Sequence, residues 1–192
     1  MNLEKANVGE AVSSAMTCNG GSAAQVRGGG VFRAECYDKD GNLKWSAESH
    51  NLVVNEGLQD MNTQYFKGST YSAAFYLGLI TGPAASTSFV AGDTLATHGG
   101  WTEFTDYSGS RKAVTFGTAT SADPSVISNS ASPSQFSITG AGGVVAGAFL
   151  CTVASGTSGI LFSEADFQAP GDRTVVSGDT LNVTYTFNLD AA

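Results

Sequence analysis

Charge is the scarcest commodity in this chain. Charged residues make up 14% of 192 positions, against about 25% in an ordinary soluble domain. Only nine are basic, against seventeen acidic, for a net charge of −8. Neutralising phosphates takes clustered Lys and Arg, and the nine basic residues form no cluster, so nucleic acid is excluded as a partner. The same balance disfavours anionic membrane surfaces. No stretch approaches the run of about 18 apolar residues that a membrane span needs. Met1-Asn2-Leu3-Glu4-Lys5 carries no basic segment followed by an apolar one, so no signal peptide is expected. Cysteine is sparse too. Cys18, Cys36 and Cys151 are odd in number and widely spaced, which is no disulfide framework. Cys36 and Cys151 lie in apolar strand patterns and read as small buried hydrophobes. A reducing folding compartment such as a cytoplasm fits them.

Reactive constellations are equally thin. There is no Gly-x-Ser-x-Gly elbow, Walker loop, Cys-x-x-Cys or His-Glu-x-x-His. The two histidines, His50 and His98, sit in different segments. His98 with Glu103 and Asp106 is the best grouping for acid–base or metal chemistry; a structural or solvated role is the reading preferred here. Glu103, Asp106, Glu164 and Asp166 supply the residue types of a carboxylate pair, but such chemistry needs a set separation. Asp38, Asp40 and Asn42 resemble a calcium loop, yet Gly41 is fourth rather than sixth and no Glu closes the pattern. A hairpin turn explains them better. Asn182-Val183-Thr184 matches a glycosylation sequon inside a strand pattern and reads as a chance match. The expectation is a non-enzyme with no catalytic residue, cofactor or metal.

What is abundant is Gly, at 24 residues, together with Ser, Thr and a hydrophobic fraction of 42%. Apolar stretches cut by Gly, Ser, Thr and Asp are the pattern of an all-β antiparallel sandwich. Val31 to Tyr37 alternates, with Phe32, Ala34 and Cys36 on one face. Asp-Gly before Leu43 to Ser49 marks a hairpin. Leu52 to Val54 is a short strand, and Asn55 can then cap a helix whose Leu58, Met61, Tyr65 and Phe66 share one face. Phe75 to Ile80 is almost wholly apolar, hence central. Residues 81 to 110 form a long connection of the kind that contacts partners. Further strands are expected at Ala113 to Thr118, Phe136 to Thr139, Val144 to Val153 and Gly159 to Phe162. Residues 119 to 134 read as a loop. Asp179 to Leu189 alternates most cleanly of all. Gly-Asp-Thr-Leu occurs at Gly92 and Gly178, and the same turn chemistry used twice explains it without a duplication. Residues 1–30, rich in small residues and carrying Gly28-Gly29-Gly30, read as a flexible or extended arm, with a weak helix possible over Leu3 to Met16. Residues 31–192 form the sandwich domain.

Trp101, Phe104 and Tyr107 place three aromatics within seven residues of the long connection. They can fold back to close the end of the sandwich, anchor a protein interface, or stack on sugar rings. They are the candidate partner-binding residues.

Asp40-Gly41-Asn42-Leu43-Lys44-Trp45, Asn51 to Leu58, Phe75 to Ile80, Gly100-Trp101-Thr102-Glu103-Phe104 and Gly178 to Tyr185 together resemble small virion structural proteins of tailed bacteriophages. The likeness covers roughly residues 31 to 190. It implies a jelly-roll-like β-sandwich on the capsid surface, made and folded in the host cytoplasm, acting as a cement or decoration protein. The implied partner is the major capsid protein, with copies associating as homo-oligomers, dimers or trimers. The alternatives are a tail-associated fibre, spike or baseplate protein and a glycan-binding module.

Overall fold

Alternation of apolar and polar residues builds the first sheet. The structure, a computed structural model, describes residues 26–67, 74–83, 89–167 and 171–191. Strand β1 (Val26–Tyr37) turns through Asp38–Asn42 into β2 (Leu43–His50). Asp38 Oδ1 accepts the backbone N–H groups of Asp40 and Asn42, each at 2.9 Å. Gly41 takes φ 84°, a left-handed conformation that glycine adopts freely. The calcium-like residues are thus a turn. Phe32, Ala34 and Cys36 point inward and are fully buried. Burial pushes the Cys36 thiol up to about 12.

The C-terminal strand β12 (Thr180–Ala191) pairs antiparallel with β1 over its whole length, from Val26↔Ala191 to Tyr37↔Thr180. Strands β7 (Ser125–Ser128) and β8 (Ser134–Ser137) lie side by side along its other edge, giving the order β2-β1-β12-β7 with β8 also on β12. Strand β1 therefore begins five residues before the expected domain boundary, and it takes in the glycine triplet. The triplet serves close packing: a Cβ at Gly30 would lie 2.6 Å from the Thr186 carbonyl oxygen and 3.0 Å from the Tyr185 hydroxyl. The remainder of the expected arm, with Cys18 and the weak helix, lies outside the described residues.

The second sheet runs β3-β10-β9-β4-β5. Its members are β3 (Leu52–Val53), β10 (Leu161–Asp166), β9 (Gly143–Cys151), β4 (Tyr76–Thr81) and β5 (Glu103–Phe104). Two short strands complete it: β6 (Lys112–Ala113) on β4 and β11 (Arg173–Val175) on β9. Strands β4 and β9 are apolar on both faces because both faces are covered. Leu77, Leu79, Ala148 and Leu150 face the first sheet in the main core. Ile80, Ala146, Phe149 and Cys151 face the other way, into a second core closed by Leu95 and Trp101. A strand covered on both sides loses the polar alternation of a half-exposed one.

The expected strand at Ala113 to Thr118 pairs only at Lys112–Ala113; beyond it the backbone bonds singly, as Gly117 N–H to Ser128 O at 2.8 Å. Conversely, β7 forms within a segment read as loop, held by β12. The repeated tetrapeptide is the same turn twice. Asp93 Oδ2 accepts the Val90 N–H at 3.0 Å, and Asp179 Oδ2 accepts the Val176 N–H at 2.9 Å. Each turn ends on a buried leucine, Leu95 or Leu181.

Helix α1 (Asn55–Phe66) forms where expected but with a different face inward. Gly57 and Asp60 are buried and Met61 packs on the main core, whereas Leu58, Tyr65 and Phe66 are exposed. The Gly57 Cα sits on the Phe162 backbone of β10, where a Cβ would collide with the carbonyl. The closest approach set the orientation, and the bulky apolar side chains were left outside. Val54 rather than Asn55 is the N-cap. Gly57→Val should therefore lower stability by about 1–3 kcal/mol through overpacking, read as a lower urea midpoint. Gly92→Ala, where a Cβ meets nothing within 4 Å, should stay within about 0.5 kcal/mol of wild type.

Candidate functional site

Trp101, Phe104 and Tyr107 are interior residues. Trp101 is 7% exposed and belongs to the second core. Its Nε1–H donates to Glu164 Oε2 at 2.8 Å, and its ring stacks on His98 at 3.6 Å. Phe104 on β5 and Tyr107, bridged to Ile138, are part of the main core. Tyr107 stands edge-on to Phe136 with ring centroids 4.8 Å apart, and burial raises its phenol above the ordinary range. Of the three roles open to these aromatics, closing the sandwich is the one the packing satisfies. As anchors for a partner at the surface they are corrected: their rings are already covered by the chain itself.

The grouping of His98, Glu103 and Asp106 disperses in the same way. Glu103 holds Arg111 in a two-point ion pair at 2.8 and 2.7 Å. Asp106 accepts the Gly142 N–H at 2.6 Å. His98 lies against the Trp101 indole, and burial lowers its pKa. Arg111 itself went unnoticed in the sequence. It is buried, it donates through Nη1 to the Val153 and Gly156 carbonyls at 3.3 and 2.9 Å, and it lies 5.1 Å over the Phe149 ring. No local signal marks it, because its carbonyl partners are more than 40 residues away. Among the described residues, no group of three His, Cys, Asp or Glu is placed to hold a metal ion.

The open feature is a groove of about 610 Å³ between the two sheets, beside α1, at the end where β1 begins and β12 finishes. Buried Leu150, Phe162 and Tyr185 form its floor, and Val26, Tyr65 and Phe66 stand at its rim. No Asp, Glu, Lys or Arg lines it among the described residues. Aromatic rings run through it in edge contact: Phe187 on Phe162 at 5.6 Å, Phe162 on Phe75 at 5.7 Å, and Phe75 on Phe116 at 6.1 Å. Tyr65 and Phe66 pack edge-to-face on each other at 4.9 Å and are 76% and 80% exposed. An apolar concavity with exposed rings at its edge is a feature of protein, membrane and ligand contact sites alike.

Tyr65 and Phe66 had been assigned to the face of the helix that packs on the sandwich. Gly57 was a signal that could have corrected this, since glycine weakens a helix and a close backbone approach is one reason for its presence. No protein-family model, curated protein or solved structure matches this chain.

The Tyr65→Ser/Phe66→Ser double variant should leave stability within about 0.5 kcal/mol of wild type, as expected for exposed positions. It should bind an apolar fluorescent dye several-fold less well. Equal dye binding by variant and wild type would mean the groove does not present these rings to solvent.

Proposed function

We propose that this chain is a non-enzymatic virion structural protein of a tailed phage, a decoration protein that binds across neighbouring major capsid protein subunits. The observation that carries this reading is the uncharged aromatic groove with Tyr65 and Phe66 exposed at its rim, on a body whose core is otherwise closed. A rigid sandwich loses little conformational freedom when it docks, so less binding energy is spent on ordering. The titratable side chains considered above are tied up in the fold, which favours a binding role over a reaction. The groove supplies the central anchor of an interface; a stable contact buries roughly 1,600 Å² in all, so its surroundings take part too.

A clip that touches adjacent coat subunits binds the assembled shell and not the free subunit. It stabilises the shell by mass action. Copies sit at symmetry axes as dimers or trimers, on the outer surface of the particle. The sandwich would contribute the anchor, and residues upstream of Val26 a further fastening.

Purified protein should cosediment with expanded particles that lack it and not with unassembled coat subunits. Tyr65→Ser/Phe66→Ser should weaken that binding by tenfold or more, since central aromatic anchors typically carry about 2 kcal/mol or more each. Undiminished binding of the variant would remove the groove from the interface, and binding to neither form would refute decoration.

A further inference from the structure

The turn at Val90–Leu95 shares with the turn at Val176–Leu181 its aspartate-to-backbone bonds, Asp93 N–H to Val90 O and Asp179 N–H to Val176 O, though Gly178 is left-handed and Gly92 is not. Its aspartate, however, has the opposite kind of neighbour. Buried Asp179 accepts from Lys44 Nζ at 2.5 Å, so its charge is cancelled. Buried Asp93 instead hydrogen-bonds the side chain of Glu164. Glu164 projects from β10 and is fully buried. One of its oxygens takes the Trp101 indole N–H, and no donor is found for the other, Oε1. Two carboxyl groups in contact away from water cannot both be ionised; they bond only if one carries a proton. Residues 89–101, which include Asp93, Leu95 and Trp101, are the cover over the outer face of the second sheet.

We infer that segment 89–101 is a proton-held strap: it stays closed while Glu164 carries a proton shared with Asp93, and it is released from the sheet when that proton leaves. Release would bare Ile80, Ala146, Phe149 and Leu161, a second apolar surface distinct from the groove.

Among the described residues, the surroundings offer no uncommitted cation to replace the proton. On the strap, Asp93 is the acid partner, and burial lowers the pKa of His98, disfavouring its charged form. From β5, Glu103 is already committed to Arg111, whose remaining donors reach Val153, Gly156 and the Cys151 sulfur of β9. From α1, Glu56 accepts the Leu161 N–H at 3.0 Å and adds a further acid. Burial is the main cause that lifts Glu164 from 4.5 to about 8, with Asp93 adding to it. The closed form therefore retains a proton that an open form would release. The Glu164 contribution to closure is full below the ordinary carboxyl range and is lost as pH rises towards about 8, whereas His98, lowered by burial, opposes it only below about 6.5. Above that value no further loss follows, because both forms are then deprotonated.

Hydrogen exchange of the strap amides in the full chain tests this directly. After correction for the intrinsic exchange rate, the opening constant of the Thr94 and Thr97 amides should rise about tenfold per pH unit between pH 6.5, above which His98 no longer titrates in the open strap, and about 8, where it should level off. Amides in the β1–β12 ladder should show no such rise. Glu164→Gln keeps the shape and can bond Asp93 without a titrating proton, so its strap should show no such rise between pH 6.5 and 8. Asp93→Asn removes the neighbouring charge and should move the levelling point to lower pH. A pH-independent wild-type strap, an unchanged rise in Glu164→Gln, an unmoved levelling point in Asp93→Asn, or an equal rise in the β1–β12 amides would each overturn the proposal.

Discussion

Everything in this molecule is arranged around strands β4 and β9, which have no polar face. Leu77, Leu79, Ala148 and Leu150 must be covered on one side, and Ile80, Ala146, Phe149 and Cys151 on the other. The first sheet answers the first requirement, and segment 89–101 with Val54 answers the second. Phe149 shows how tight the second layer is. Its ring lies on Gly78, which no larger residue could replace without moving it, while Trp101 and Arg111 cap it from outside. Close packing of this kind tolerates neither voids nor added volume. The long connection after β4 is consequently part of the core, and its aromatics belong to the fold.

That demand also accounts for where several of the charged groups are placed. Arg111 and Glu103 fasten the connection to the β9–β10 turn, Lys44 and Asp179 lock the start of β12 to β2, and Asp106 holds the Gly142 turn. A chain so poor in charge uses those it has as fasteners. The largest uncovered apolar feature among the described residues is the end of the sandwich beside α1, where no described element closes over the rings. Structure and the proposed role meet there, in a surface that water covers poorly and a coat lattice would cover well.

Much of the fold was legible in the sequence. Strands whose side chains alternate, such as Phe32-Ala34-Cys36 and Leu181-Val183-Tyr185, announce both their existence and their inner face. The Asp-Gly hairpin and the doubled Gly-Asp-Thr-Leu turn carry local hydrogen bonds, so local sequence suffices. The candidate site was largely illegible, because it depends on distance in space. The helix was placed correctly, but of its apolar stripe only Met61 packs on the core, while Leu58, Tyr65 and Phe66 stay in solvent. A single backbone contact, Gly57 on Phe162, overrode it. Trp101, Phe104 and Tyr107 were visible as a cluster, but only the packing shows which way they turn. Ser125–Ser128 and Arg173–Val175 are strands solely because β12 and β9 lie beside them, and nothing local marks them. The glycine triplet was read as flexibility when its role is to admit the Tyr185 and Phe187 rings.

The central claim is that this protein is a stoichiometric component of an assembled shell. The most direct measurement is its copy number in purified particles, by quantitative mass spectrometry against the major coat protein. The account predicts a ratio equal to the coat protein or a simple fraction of it, as symmetry-related sites require. A handful of copies per particle would place it at a tail or unique vertex instead, and its absence from particles would contradict the virion role altogether.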